Sequence, residues 1–359
     1  MGVVGLAFFA GSCSLIDEQL VNCPEDIIVD YHVRLITNKA QEMDLKLGTD
    51  KDLPLRMALE DYLRDIFVET ARDADLSFYS QSTDERTIHF HDIWNAAERS
   101  YSLQVFNGGY SNIVAANVDE NSVVRLAGDE SSAASSLAQN AADVVPSHNT
   151  GIFTARKLLQ VVDDHRLQQH FDVDLFMAND AGGLLLNVDE CDFTDVRCEI
   201  EGLADGFKLL DSTYTYGSHT LVKTDLINVA PTLRTTGPNA EPIKPDPLPV
   251  VQEWDSWSKT PVILCGVGFP SRIDSDKKVD NKPVYWVMHL YVTLENGSVT
   301  KSTIYVAEPL YAAHLKLIKG WLLGDGSFSP EPPGTLKDML AGVDVQLDWT
   351  PGPQFDPML

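Results

Sequence analysis

The stretch Ile27-Ile28-Val29-Asp30-Tyr31-His32-Val33-Arg34-Leu35 decides how this chain is read. Val29, Tyr31, Val33 and Leu35 alternate with Asp30, His32 and Arg34, and a period of two sends the two sets to opposite faces of a strand. One face is apolar and the other polar, the signature of a half-buried strand. The pattern recurs along the chain. ADLSFYS (74–80) and TIHFHDI (87–93) read as strands. Residues 100–118 read as a hairpin turning at Asn107-Gly108-Gly109, because these residues tolerate the positive φ of a tight turn. A second hairpin is expected from 171–179 and 183–188 around Asp180-Ala181-Gly182, and 195–203 continues the strand pattern. Further strands are expected in VVQEW (250–254), PVILCGVGF (261–269), YWVMHLYVTL (285–294), STIYVAE (302–308) and near Leu315–Leu317. The cleanest alternation closes the series. Val343, Val345, Leu347 and Trp349 alternate with Asp344, Gln346 and Asp348, and Pro351 and Pro353 end the strand because proline cannot donate to a ladder.

The 54–72 segment differs, with Leu55, Leu59, Leu63 and Phe67 spaced as on the apolar stripe of a helix. Ser, Ala and Asn dominate 129–150, which reads as a loop with a short helix. Many short strands and few helices favour a mainly β chain of two β-sandwich domains in tandem. Turn residues from 211 and the cluster Pro242 to Pro249 mark the connection between them. The expected domains are 27–215 and 216–359, and no repeat of solenoid length is visible.

Composition limits the function classes. The 359 residues carry 27 basic and 53 acidic side chains, a formal charge of −26, and 44% are hydrophobic. Such a surface repels phosphate backbones, so nucleic acid is not an expected partner. No GxSxG elbow, HExxH helix, Walker loop or EF-hand loop occurs. Gly266-Val267-Gly268 lacks the third glycine of a dinucleotide fingerprint and reads as a turn. His89 and His91 share a strand face and form half of a metal site for which the sequence offers no companion ligand, so they read as a solvated face. His165 and His170, five apart, read as ordinary loop or helix residues. Asn296-Gly297-Ser298 reads as a hairpin turn. No catalytic constellation, metal or cofactor is expected.

The five cysteines are Cys13, Cys23, Cys191, Cys198 and Cys265, with no CxxC pair. Val3 to Ala10 is apolar but too short to span a bilayer, and Ala10-Gly11-Ser12 precedes Cys13, a pattern resembling a bacterial lipobox. Residues 1–12 are then a signal peptide, cleaved between Ser12 and Cys13, and 13–26 a lipidated linker. No Lys or Arg precedes the apolar run, which leaves room for a start upstream of Met1. Ser14 carries no inner-membrane retention signal, while Asp17 and Glu18 resemble an acidic surface-export signal. With Cys13 acylated, pairing among Cys23, Cys191, Cys198 and Cys265 stays open between three connectivities.

Cys13-Ser14-Leu15-Ile16-Asp17-Glu18 leading to Asn22-Cys23-Pro24 resembles the opening of the fimbrillin-associated anchor family, the major- and minor-fimbrium anchor lipoproteins of Bacteroidetes. Looser matches follow in order: Asp73 to Tyr79, Tyr110 to Asn117, Thr150 to Thr154, Phe171 to Asn179, and Val343 to Trp349. The resemblance implies two transthyretin-like β-sandwich domains and an anchor or accessory subunit at the fimbrium base. It also implies acylation (palmitate) at Cys13 in the outer membrane, pilin subunits as partners joined by strand complementation, and a limit on filament length. Two other readings stand beside it. One is an adhesin or fimbrial tip subunit binding a host or glycan ligand, for which Trp254/Trp257 and Tyr285/Trp286 offer aromatic surfaces. The other is a glycan-capture surface lipoprotein.

Overall fold

The computed structural model describes residues 27–36, 53–66, 70–81, 87–127, 136–164, 168–188, 191–217, 221–227, 261–331 and 344–346. In chain order the elements are β1 (Ile27–Ile36), α1 (Leu53–Ile66), β2 (Ala71–Ser80), β3 (Thr87–Ala96), β4 (Glu98–Val105), β5 (Gly108–Ala116), β6 (Val124–Ala127), β7 (Ser136–Gln139) and β8 (Val144–Val145). Then come β9 (Phe153–Val161), β10 (Gln169–Met177), β11 (Asp180–Val188), β12 (Phe193–Glu201), β13 (Gly206–Lys208), β14 (Thr213–Thr215), β15 (Leu221–Lys223) and β16 (Asp225–Ile227). The series ends with β17 (Val262–Gly268), β18 (Lys278–Val279), β19 (Lys282–Pro283), β20 (Trp286–Leu294), β21 (Val299–Val306), β22 (Leu315–Leu322), β23 (Phe328–Ser329) and β24 (Asp344–Gln346). The chain is mainly β, built as β-sandwiches, with α1 the single helix among the described residues.

The first sandwich is one seven-stranded sheet in the order β3-β2-β5-β9-β10-β1-β4, folded over on itself. Two observations show the fold-over. β9 and β10 pair at only Thr154↔Phe176 and Phe153↔Met177, so the sheet divides there into leaves β3-β2-β5-β9 and β10-β1-β4. Its outermost strands β3 and β4 are separated in sequence by Ala97 alone, whose carbonyl accepts from Leu35 N at 2.8 Å. Between the leaves lie Val29, Tyr31, Val33, Leu76, Phe78, Val114, Val173 and Leu175.

This architecture corrects the first expected hairpin. β4 pairs with β1 and β5 pairs with β2 and β9, so Asn107-Gly108-Gly109 joins the two leaves. A link of two residues reaches roughly 10 Å, the spacing of packed sheets. Glycine suits a sandwich corner as well as a tight hairpin. The second expected hairpin is corrected likewise, because β10 and β11 belong to different sheets and Ala178-Asn179 carries the chain from one to the other.

In the second sandwich, the sheet β16-β17-β11-β22-β23, with β24 also on β22, faces the sheet β21-β20-β12-β15-β8. A four-stranded sheet, β14-β13-β7-β6, closes the core. Leu184, Leu186, Leu264 and Ile318 meet Cys198, Ile200, Met288, Leu290 and Val292 inside. The opposite face of β11, β17 and β22 is apolar too, through Ala181, Leu185, Ile263, Cys265, Leu315 and Leu317. Strands buried on both faces read as continuous apolar runs, which explains GLLLNV and PVILCGVGF. The cover on that outer face is α1, through Leu55, Ala58, Leu59, Leu63 and Ile66. Tyr62 extends the contact by donating to Asp225 Oδ2 at 2.8 Å.

Pairing crosses residue 215, where the sequence places its domain boundary. β11 and β12 lie before it and pair with β17, β22 and β20 beyond it. Proline-rich segments mark where ladder donors are missing, which is a different property from where two cores separate. Gly266-Val267-Gly268 is corrected from a turn to the end of β17. A methyl group on Gly268 would lie 2.8 Å from Leu203 Cδ1, so the glycine reflects close packing. The helix expected within 129–150 is replaced, among the described residues, by β7 and β8. Asn296-Gly297-Ser298 forms the β20–β21 turn, with Gly297 at φ 80 and Leu294 N donating to Ser298 O at 2.9 Å. No helix among the described residues is long and apolar enough to cross a membrane.

Candidate functional site: the slot of the first strand

β1 occupies an interior position of its leaf. It runs parallel to β10 from Val29↔Gln169 to Ile36↔Phe176 and antiparallel to β4 from Ile27↔Val105 to Arg34↔Glu98. The alternation seen in the sequence becomes burial, with Ile27, Val29, Tyr31, Val33 and Leu35 all at 6% exposure or less. Each large apolar side chain held this way contributes about 1.5–3 kcal/mol. Tyr31 adds a directional contact. Its hydroxyl donates to Asn112 Oδ1 at 2.6 Å, and Asn112 Nδ2 donates to Ser77 O at 3.2 Å, so the phenol bridges the leaves. The Tyr31 ring meets Phe78 edge-on at 5.2 Å. Burial pushes its hydroxyl well above the usual tyrosine range and keeps it a neutral donor.

The outward face fixes the register. Asp172 Oδ1 lies 3.1 Å from His32 Nδ1 and 3.0 Å from His170 Nε2. Arg34 donates from Nε to Asp174 Oδ1 at 2.9 Å, and Gln168 Nε2 donates to Asp30 Oδ2 at 2.6 Å. Hydrogen bonds from His32 first, then His170, hold the Asp172 carboxyl below its ordinary range. A slip by one residue would invert both faces at once. Asp30, His32, Ser100, Ser102 and His170 line a shallow depression of about 430 Å³ on this face.

The residues singled out in the sequence disperse. Ser12, Cys13, Cys23, His165, Trp254 and Trp257 lie outside the described residues. Cys191, Cys198 and Cys265 are buried thiols, and burial raises those of Cys198 and Cys265 above the usual cysteine range. Trp286 is 1% exposed and donates to Glu308 O at 2.9 Å, so it belongs to the core and offers no stacking platform with Tyr285. His170 joins the β1 ladder. His89 and His91 face Asp75 Oδ1 at 3.7 and 3.3 Å. Asp172, Asp174 and Asn112 went unnoticed in the sequence. The signal for the first two was present: the HFDVD alternation complements Asp30, His32 and Arg34 in charge.

No protein-family model matches this chain, and no curated protein matches it. Among solved structures, a candidate adhesin of Bacteroides ovatus is 15% identical, covering 82% of this chain and 88% of that one, with a TM-score of 0.46. The fimbrial anchor protein Mfa2 from Porphyromonas gingivalis is 8% identical, covering 82% and 90%, at TM-score 0.44. The tip fimbrial protein Mfa3 from the same organism is 10% identical, covering 84% and 96%, at TM-score 0.39.

Proposed function

We propose that this chain is a non-enzymatic accessory subunit of a surface fimbrium, anchoring the filament to the outer membrane through an acylated Cys13. One observation carries the reading: the strand that follows the lipobox-like segment fills an interior slot of its own sandwich. Subunits that assemble by strand complementation need an open slot to accept a partner's strand. A slot filled by the chain's own β1, itself tethered through Cys13, accepts none, so the filament grows away from this subunit and its length is limited at the base. Acylation contributes about 0.8 kcal/mol per buried methylene, enough with several chains for lasting attachment. The division into two sandwiches falls between β10 and β11 in this reading, where the sheets change partners.

The test is Cys13→Ala in the fimbriated cell. Fimbriae shed into the medium, and found longer, are the expected outcome. Fimbriae still attached at normal length would overturn the anchor reading, and immunogold label at the distal end would favour a tip subunit in its place.

A further inference from the structure

The outward face of the β2–β3 edge carries an arrangement that the strand slot does not use. Asp73, Asp75 and Ser77 alternate on β2 with the core residues Ala74, Leu76 and Phe78. In the antiparallel register Asp75 is opposite His91 and Ser77 opposite His89. Asn117, at φ 62, turns the chain after β5 and brings Asp119 over the pair. Asp73 Oδ1 fixes that turn by accepting from Val118 N at 2.9 Å and Asp119 N at 3.3 Å. Asp119 Oδ2 then sits 3.3 Å from His91 Nε2.

Three carboxylates converge here. One oxygen from each of Asp73, Asp75 and Asp119 lies within 4.8 Å of the others. Asp73 and Asp75 are 3% and 8% exposed, and the Oδ2 atom of each is shut off from solvent with no hydrogen-bond partner. A buried polar atom without a partner is costly, and two in one cluster call for a missing ligand. Arg72, the adjacent cation in sequence, reaches Glu120 at 3.1 Å.

We propose that Asp73, Asp75 and Asp119 form a binding site for a hard divalent cation of the Ca²⁺ or Mn²⁺ class. Oxygen-only donors select such ions. With Ca–O distances of about 2.3–2.6 Å, oxygens on opposite sides of one ion lie up to roughly 5 Å apart, so the cluster closes on a cation without moving the strands. His91, 3.3 Å from Asp75 Oδ1, orients that carboxylate from outside, as hydrogen-bond partners of ligating carboxylates do. Burial, followed among the raising influences by the Asp119 charge, lifts the Asp73 carboxyl, while burial outweighs the two histidines at Asp75, the balance a cation would reverse. The bound ion would clasp the 117–120 turn to the sheet edge.

The test uses the full chain, stripped with chelator and titrated calorimetrically with CaCl₂ and MnCl₂, with Tm followed in parallel. One ion per chain and a raised Tm are expected. Asp119 has a 62% exposed side chain, so Asp119→Asn keeps the fold, and it is expected to abolish the binding. His91→Ala is expected to weaken it about tenfold. Binding of neither ion at millimolar concentration overturns the site, as does binding that survives Asp119→Asn. Zn²⁺ binding that requires His91 and tolerates Asp119→Asn overturns it as well.

Discussion

His148 is fully buried, yet every polar atom of its ring is matched. Asn179 Oδ1 accepts from Ile152 N at 2.5 Å, which turns the amide so that Nδ2 donates to His148 Nδ1 at 2.8 Å. The ring proton therefore sits on Nε2 and goes to Gln139 Oε1 at 3.2 Å, while Gln139 Nε2 donates to Ala204 O at 2.7 Å. This chain of bonds ties the β8–β9 loop, the β10–β11 crossing and the second core together. Replacing His148 with Leu leaves an amide donor and an amide acceptor buried without partners. We expect a loss of about 2–5 kcal/mol in denaturant unfolding. Burial also lowers the imidazole from 6.5 to about 3, so between those values the unfolded chain binds a proton that the folded chain does not. Stability is then complete above about pH 6.5 and declines as pH falls toward 3. Denaturant midpoints compared with His148→Leu across that window check it: the variant should lose this part of the slope.

At the scale of the element, α1 and β1 are ordered by different means. β1 is held on both sides by ladder bonds, below by five buried side chains and above by charge pairs. α1 is held by its apolar stripe, by Tyr62 donating to Asp225 Oδ2 at 2.8 Å, and by Gly151 N capping Ile66 O at 2.9 Å. Leu59 is 1% exposed at the middle of that stripe. Leu59→Ala is expected to cost about 2–5 kcal/mol, read from the shift in denaturant midpoint. It should also raise binding of a hydrophobic dye, because the outer face of β11, β17 and β22 has no other cover among the described residues. A midpoint unchanged within error would mean that the helix does not support that sheet. The stripe was legible from Leu55, Leu59 and Leu63, but its target, a sheet formed mostly by residues after 180, was not.

For the molecule as a whole, the filled slot governs behaviour. Trypsin acting on the native protein is expected to leave the β1 segment bound to the remainder through gel filtration, even where nearby bonds are cut. Release of 27–36 from a core that stays folded and then captures a pilin strand would reverse the proposed polarity of assembly. The first sandwich also packs against the second through Ile113 and Ala115, which join the second core. The two units therefore share apolar surface, and Asp73 and Asp75, on the same face of the leaf as Ile113 and Ala115, lie beside that shared surface.

The sequence by itself determined the class: alternation made Ile27–Leu35 a half-buried strand, apolar runs made 183–188 and 261–269 strands, and four-residue spacing made α1 a helix. Those are properties of neighbours along the chain, and periodicity reports them directly. Partners were decided only in the tertiary structure. The hairpin residues at 107–109 join two leaves, because a short glycine-bearing turn serves a sandwich corner equally well, and those at 180–182 open β11 in a different sheet from β10. His89 and His91 read from their spacing as a solvated strand face. Asp75 reached them through strand register and Asp119 through a left-handed turn at Asn117, and neither relation leaves a period in the sequence.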